Sequence, residues 1–287
     1  MVNLVKGLEL TAVVENTTTL DKSNLLAQHG LSLLVEIDLG SSELTILMDA
    51  GPSQETFLHN IEALKIDLSA VDLIFISHGH YDHTSGLLAA LKKIGRRVPI
   101  IAHPDVFQPK LKAEPHLKYI GVPFKASEVE AAGGMLVCAK NPVTLAEGVV
   151  TSGEVERSIP FEKIEAFHTI KEGQLTRDLL LDDQALIVKV EGKGIVVILG
   201  CAHSGVVNTI RQAQKVIGTK EIYAIAGGFH LLRAEEERIR LTVEELLNFN
   251  PKYLAPCHCT GLKAICNLTK VFGDRCTLLT TGSSLKL

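Results

Sequence analysis

A chain of 287 residues with 46% apolar side chains and no tryptophan can bury a large Leu, Ile, Val and Ala core without covalent staples. A formal charge of −4 with no long basic run excludes a generic nucleic-acid binder, because phosphate contacts need clustered Lys and Arg. No apolar run approaches the ~20 residues of a membrane span, and six cysteines in so long a chain make no dense disulfide framework, so a reducing cytoplasm is the expected setting.

The N-terminus carries Glu9 inside its most apolar part and reads as a first strand rather than a signal segment. Leu8 to Glu15, Leu31 to Leu39 and Leu44 to Asp49 are apolar and β-branched, with Gly40-Ser41-Ser42 as a hairpin tip. Phe57, Ile61 and Leu64 repeat at helical spacing. Asp72 to Ser77 predicts a buried strand, and Leu87, Leu88, Leu91 and Ile94 predict a helix after Thr84-Ser85. Val98 to Ala102 predicts another strand.

From Pro104 to about Leu180 the pattern loosens. Residues 104–180 read as an insertion or substrate-facing subdomain within one domain of residues 1–287. Inside it, Val149 to Arg157 shows two strand-like ends around a Ser-Gly turn. Order returns with a hairpin, Ala185 to Val190 and Gly194 to Leu199. A helix near Val207 to Ile217, a strand at Ile222 to Ile225 and a helical stripe of Ile239, Val243, Leu246 and Leu247 follow. Lys252 to Ala255, a helix near Leu262 to Phe272 and a last strand near Thr277 to Thr280 complete the chain. Alternating strands and helices predict an α/β architecture.

The densest chemistry lies in Ser77-His78-Gly79-His80-Tyr81-Asp82-His83, at the end of a buried strand. Neutral imidazoles suit zinc or iron, and a carboxylate adds a hard anionic oxygen. A tight loop can turn His78 and His80 toward one ion and Asp82 and His83 toward a second. Gly86 permits close passage into the following helix. His203, His230 and His258 each also follow a predicted strand, so all can converge on one sheet edge. Cys257-His258-Cys259 lacks the paired spacing of a structural zinc site, and the cysteines read as buried free thiols. His29, His59, His116 and His168 lack a supporting pattern and read as surface or packing residues.

The loop resembles the HxHxDH signature of the metallo-β-lactamase superfamily. The resemblance implies a four-layer αββα sandwich, with His203 in "GCAHSG" and His258 in "PCHCTG" completing two metal sites, and Asp49 in "MDAG" bracing the loop. "TSGEVER", "DDQALIV", "GGFHL" and "PCHCTG" resemble one subgroup of that superfamily, the dihydropterin-ribofuranosyl-aminobenzene phosphate synthases. One departure stands out: no aspartate lies between His203 and His258, where the superfamily usually places a bridging one. His230 takes that place, as a terminal ligand or a proton-transfer group.

The expected activity is a metal-dependent hydrolase or transferase acting on a small, phosphorylated or pterin-like substrate through a metal-activated water. Asp82 and His230 are the candidate catalytic groups. His78, His80, Asp82, His83, His203 and His258 are the candidate ligands of two Zn2+ ions, with Fe or Mn as alternatives. Arg157 is the candidate substrate-binding cation. The rival is a non-catalytic, metal-containing ligand-binding or sensor protein. A small molecule is the expected partner, with neither nucleic acid nor membrane, and an oligomer is left open.

Overall fold

The computed structural model describes residues 5–19, 21–22, 24–164 and 166–287. Two sheets face each other. The first has seven strands, in the spatial order Ser284–Lys286, Gly7–Val14, Ser32–Asp38, Glu43–Met48, Leu73–Phe75, Val98–Ala102 and Gly134–Cys138. The second has six, in the order Tyr253–Cys257, Ile222–Gly228, Gly194–Leu199, Ala185–Val190, Val149–Thr151 and Thr144–Ala146.

Side-chain alternation explains the layering. Successive residues of a strand point to opposite faces. In Gly194–Leu199, Val196 and Ile198 face the core between the sheets, while Ile195, Val197 and Leu199 face outward. The outward set is covered by helices Val206–Ile217, Glu236–Phe249 and Leu262–Phe272. On the other sheet Ile46 and Met48 face inward, and Leu47 packs outward with Phe57, Ile61, Leu87 and Leu91 of helices Gln54–Leu64 and Leu87–Ile94. Strands buried on both faces read as continuous apolar runs. The result is an αββα sandwich. No helix among the described residues is long and apolar enough to cross a membrane.

Residues 104–180 divide between two places. Gly134–Cys138, Thr144–Ala146 and Val149–Thr151 join the two main sheets. Leu111–Lys112, Lys118–Tyr119, Phe167–Lys171 and Gln174–Arg177 form a separate four-stranded sheet. It is fastened to the histidine loop by Tyr81 N–H donating to Ile120 O at 2.9 Å.

Two expected strand segments are not strands. At Glu154 to Arg157 the backbone bonds leave the ladder: Glu154 N–H donates to Lys140 O, and the N–H groups of Ser158 and Ile159 go to the Asn208 side chain. Thr277 to Thr280 lies between isolated bridges at Cys276 and Thr281, and the last strand is Ser284–Lys286, beside Gly7–Val14.

Candidate metal centre

The histidines converge because parallel strands end together. Glu43–Met48 runs parallel to Leu73–Phe75, and Gly194–Leu199, Ile222–Gly228 and Tyr253–Cys257 run parallel to one another. Ligands of open α/β sheets bind at such carboxyl ends. The backbone there is held in the left-handed region at Asp49 (φ 58°), Ala202 (φ 52°), His230 (φ 51°) and His258 (φ 51°). Each such residue costs roughly 1–3 kcal/mol, which the surrounding structure must offset.

His78, His80 and His203 form one group whose ligand nitrogens lie within 4.8 Å of one another. His78 Nε2 is 3.0 Å from His80 Nδ1 and 3.2 Å from His203 Nε2. On the other side, Asp82 Oδ2 lies 3.5 Å from His258 Nε2 and 4.0 Å from His83 Nε2, and the two imidazoles approach at 3.3 Å. All six predicted ligands therefore meet at one place.

The supports are carboxylates. Asp49 is fully buried and accepts from Ser77 N–H at 2.8 Å, from Ser77 Oγ–H at 2.7 Å and from His83 Nδ1–H at 2.7 Å. A carboxylate can only accept, so the proton of His83 sits on Nδ1 and Nε2 faces the other donors. Asp182 accepts from Gly79 N–H at 2.8 Å and pairs with buried Lys110 at 2.8 Å. Its neighbour Asp183 accepts from Ser204 N–H at 2.8 Å. The acidic pair thus clamps both histidine loops. Glu15 receives His258 N–H at 2.7 Å, and Asn16 Oδ1 lies 3.0 Å from His258 Nδ1.

Two glycines permit the close approach. A Cβ on Gly86 would lie 2.1 Å from Ala50 O, and one on Gly200 would lie 2.1 Å from Ser77 Oγ. The second contact is where the two sheets meet beneath the histidines.

The donor set suits a cation. Burial holds His78, His80, His203 and His258 well below the ordinary histidine range, so they are neutral donors. Burial also opposes a charge on His83, but Asp49 overrides it and pushes His83 up to about 9, so a cation held by His83 Nε2 would displace a proton from it. His80 Nε2 is buried with no hydrogen-bond partner among the described residues. Buried polar atoms are rarely left so, and a cation would satisfy this one. Three imidazoles on one side, and two with a carboxylate on the other, fit zinc or a similar transition metal.

Above the donors lies a cavity of about 440 Å³. Its wall includes Tyr81, Ile120, Phe167 and Leu232, and its cations are Lys112, Lys118 and Arg233. The ring of Phe167 lies 5.2 Å from that of His80 and 5.5 Å from that of His203, so the small sheet covers the centre.

Arg157 and the remaining histidines and cysteines occupy varied places around the centre. Arg157 is not on the cavity wall: its guanidinium donates to the carbonyls of Leu179 and Leu180 and to Ser204 Oγ, tying the 179–180 loop to the His203 loop. His29 and His116, read as surface or packing residues, are exposed, but His29 also stands 3.4 Å from Asp82 Oδ2 and His116 lines the cavity. His103 caps the turn Pro104–Phe107 and pairs with Glu154. His230 lies with its ring 4.2 Å from that of His203. Cys201 and Cys259 line the cavity, whereas Cys138 and Cys266 are exposed. No local pattern marks His29, Phe167 or the three cavity cations, because each arrives from an element distant in sequence.

A sandwich with histidines gathered at one edge of both sheets is the architecture of the metallo-β-lactamases, and this chain belongs to their superfamily. Residues 45–157 match the beta-lactamase superfamily domain. Over 266 residues the chain is 34% identical to the 7,8-dihydropterin-6-methyl-4-(beta-D-ribofuranosyl)-aminobenzene-5'-phosphate synthase of Methanocaldococcus jannaschii, covering 91% of this chain and 90% of that protein. Among solved structures, Tm1679, described as a metal-dependent hydrolase of the beta-lactamase superfamily, is 26% identical with a TM-score of 0.80, covering 98% of this chain and 99% of the other. Zn2+-bound PqqB of Methylobacterium extorquens shares the fold at a TM-score of 0.56 and 12% identity, over 97% of this chain and 100% of the other.

Proposed function

We propose that the protein is a metal-dependent hydrolase or transferase acting on a small, phosphorylated, pterin-like molecule. The observation that carries this reading is the convergence of two ligand groups on the floor of a cavity walled by Lys112, Lys118 and Arg233. His78, His80 and His203 would hold one ion, and Asp82, His83 and His258 a second, with Zn2+ as the expected metal and Fe or Mn suited to similar donors. When bound, such ions supply Lewis acidity and a water of lowered pKa.

The chain's own residues supply the rest. Lys112, Lys118 and Arg233 attract an anionic group to the cavity mouth. Phe167, Tyr81 and Leu232 offer apolar surface on which a flat heterocycle can lie. The four-stranded sheet that carries Phe167 limits water on that side. Asp82 Oδ2 lies next to half-exposed His29, which gives its proton a route to solvent. His230, on the wall beside His203, is a second group placed to serve a leaving group.

The similarity to the archaeal synthase supports a pterin substrate, and the likeness to Tm1679 supports hydrolytic chemistry. The test is turnover by metal-reconstituted protein. Phosphodiesters, thioesters and lactones are assayed beside dihydropterin pyrophosphate. Turnover of one class that is lost on chelation and restored by metal supports the proposal. Metal-loaded protein that binds a pterin yet converts nothing would make it a sensor instead.

A further inference from the structure

Cys201, His230 and Cys259 have no role in either ligand group. Their donor atoms nonetheless lie within 4.8 Å of one another. The arrangement follows from topology. Cys201 follows the strand Gly194–Leu199, His230 follows Ile222–Gly228, and Cys259 follows Tyr253–Cys257, and these three strands are parallel neighbours.

Cys201 occupies a special position among them. It belongs to a second group, with His78 and His83, within the same distance limit, and its Sγ is 3.2 Å from His83 Nε2. His78 comes from the first ligand group and His83 from the second. One sulfur therefore stands at the seam between the two. Cys259 backs it, with Sγ 3.4 Å from the Cys201 carbonyl and a hydrogen bond to His230. Both residues line the cavity, whereas Cys257, two residues before Cys259, packs into the core between the sheets. The chain has no aspartate between His203 and His258, so these soft donors stand at strand ends that carry no competing aspartate.

We propose that Cys201 and Cys259 are thiolate ligands of the metal centre, Cys201 at the seam between the two histidine groups and Cys259 beside it, oriented by His230. This rests on the metal-centre reading and adds a soft face to it. Each thiol that binds forms a sulfur–metal bond and gives its proton to the buffer. Thiolate donors favour Zn2+ and Co2+ over Mn2+ and Mg2+. The centre should show that preference.

X-ray absorption of the zinc-loaded wild-type protein tests this without a substitution. A sulfur shell at about 2.3 Å beside nitrogen and oxygen at about 2.0–2.1 Å is expected. A nitrogen and oxygen shell alone, with zinc bound, overturns the thiolate proposal and leaves the metal centre standing. Protein that binds no zinc overturns both. Cobalt-loaded protein gives a second readout, the near-ultraviolet thiolate-to-cobalt charge-transfer band. The band should weaken in Cys201→Ser and in Cys259→Ser, disappear when both are replaced, and stay unchanged in Cys138→Ser, whose thiol is exposed. A band of wild-type strength in the Cys201→Ser/Cys259→Ser double variant refutes the assignment.

Discussion

Asp49→Asn isolates what the buried carboxylate does for the second ligand group. The asparagine keeps the shape and still accepts from Ser77 N–H through its carbonyl oxygen. Its amide nitrogen, however, would face Ser77 Oγ–H at 2.7 Å and His83 Nδ1–H at 2.7 Å, placing donor against donor. His83 then relieves the clash by moving its proton to Nε2, the nitrogen that faces Cys201, His258 and Asp82. A protonated Nε2 cannot bind a metal. Hydrogen bonds to a charged group contribute about 1.5–3 kcal/mol each, and two are lost, partly offset by rotation of the Ser77 hydroxyl. A net loss of about 3 kcal/mol lowers the melting temperature of a chain this size by about 6–12 °C. Loss of such a supporting carboxylate typically weakens metal binding about 10–100-fold. Zinc titration calorimetry should show that loss at the site that includes His83, with a smaller effect passed through Ser77 Oγ, 2.9 Å from His78 Nδ1, to the other site. Two sites of wild-type affinity, or a melting temperature within about 2 °C of wild type, would refute the tautomer argument.

The double variant His78→Ala/His80→Ala should lose the first ion outright, read by elemental analysis; unchanged metal content would remove the ligand assignment. In metal-stripped protein, the His83–Asp49 pair contributes stability that is complete below pH 6.5, the ordinary histidine value, and is lost as pH rises through about 9. That contribution is at most about 3 kcal/mol. Thermal melts should therefore fall between pH 7 and 9, and Asp49→Asn should flatten this limb; an equal slope in both proteins contradicts the coupling. Lys110→Met leaves Asp178 and Asp182 buried without their cation, and breaking such a pair costs about 3–5 kcal/mol. Denaturant unfolding that shows less than about 1 kcal/mol of loss would mean that water already replaces the ammonium. Lys112→Ala/Lys118→Ala should raise KM for an anionic substrate about tenfold, roughly 1.4 kcal/mol for two partly exposed cations, with a smaller change in kcat. An equal effect on a neutral analogue would point to a packing role instead.

The six candidate ligands were legible because a metal-binding loop is a local object. His78, His80, Asp82 and His83 share one turn, and the apolar run before them marks a buried strand. His203 and His258 were legible because each also sits at a strand end. His29 offered no such signal: it precedes a strand, and its approach to Asp82 depends on a neighbouring contact in which Leu31 N–H donates to Asp82 O. Arg157 lay in a stretch read as substrate-facing and so read as a substrate cation, yet the bend at 179–180 turns carbonyls toward it. Thr277 to Thr280 has the composition of a strand but is flanked by isolated bridges at Cys276 and Thr281 instead of forming a continuous ladder.

By itself the sequence determined most strands and helices of the sandwich and the candidate metal-binding side chains, since periodicity and short-range spacing are properties of neighbouring residues. Only the tertiary structure decided which residues wall the cavity and which sulfur stands between the two histidine groups. Those depend on where separate strands end relative to one another. Register and sheet order set that relation, and no short stretch of chain carries it.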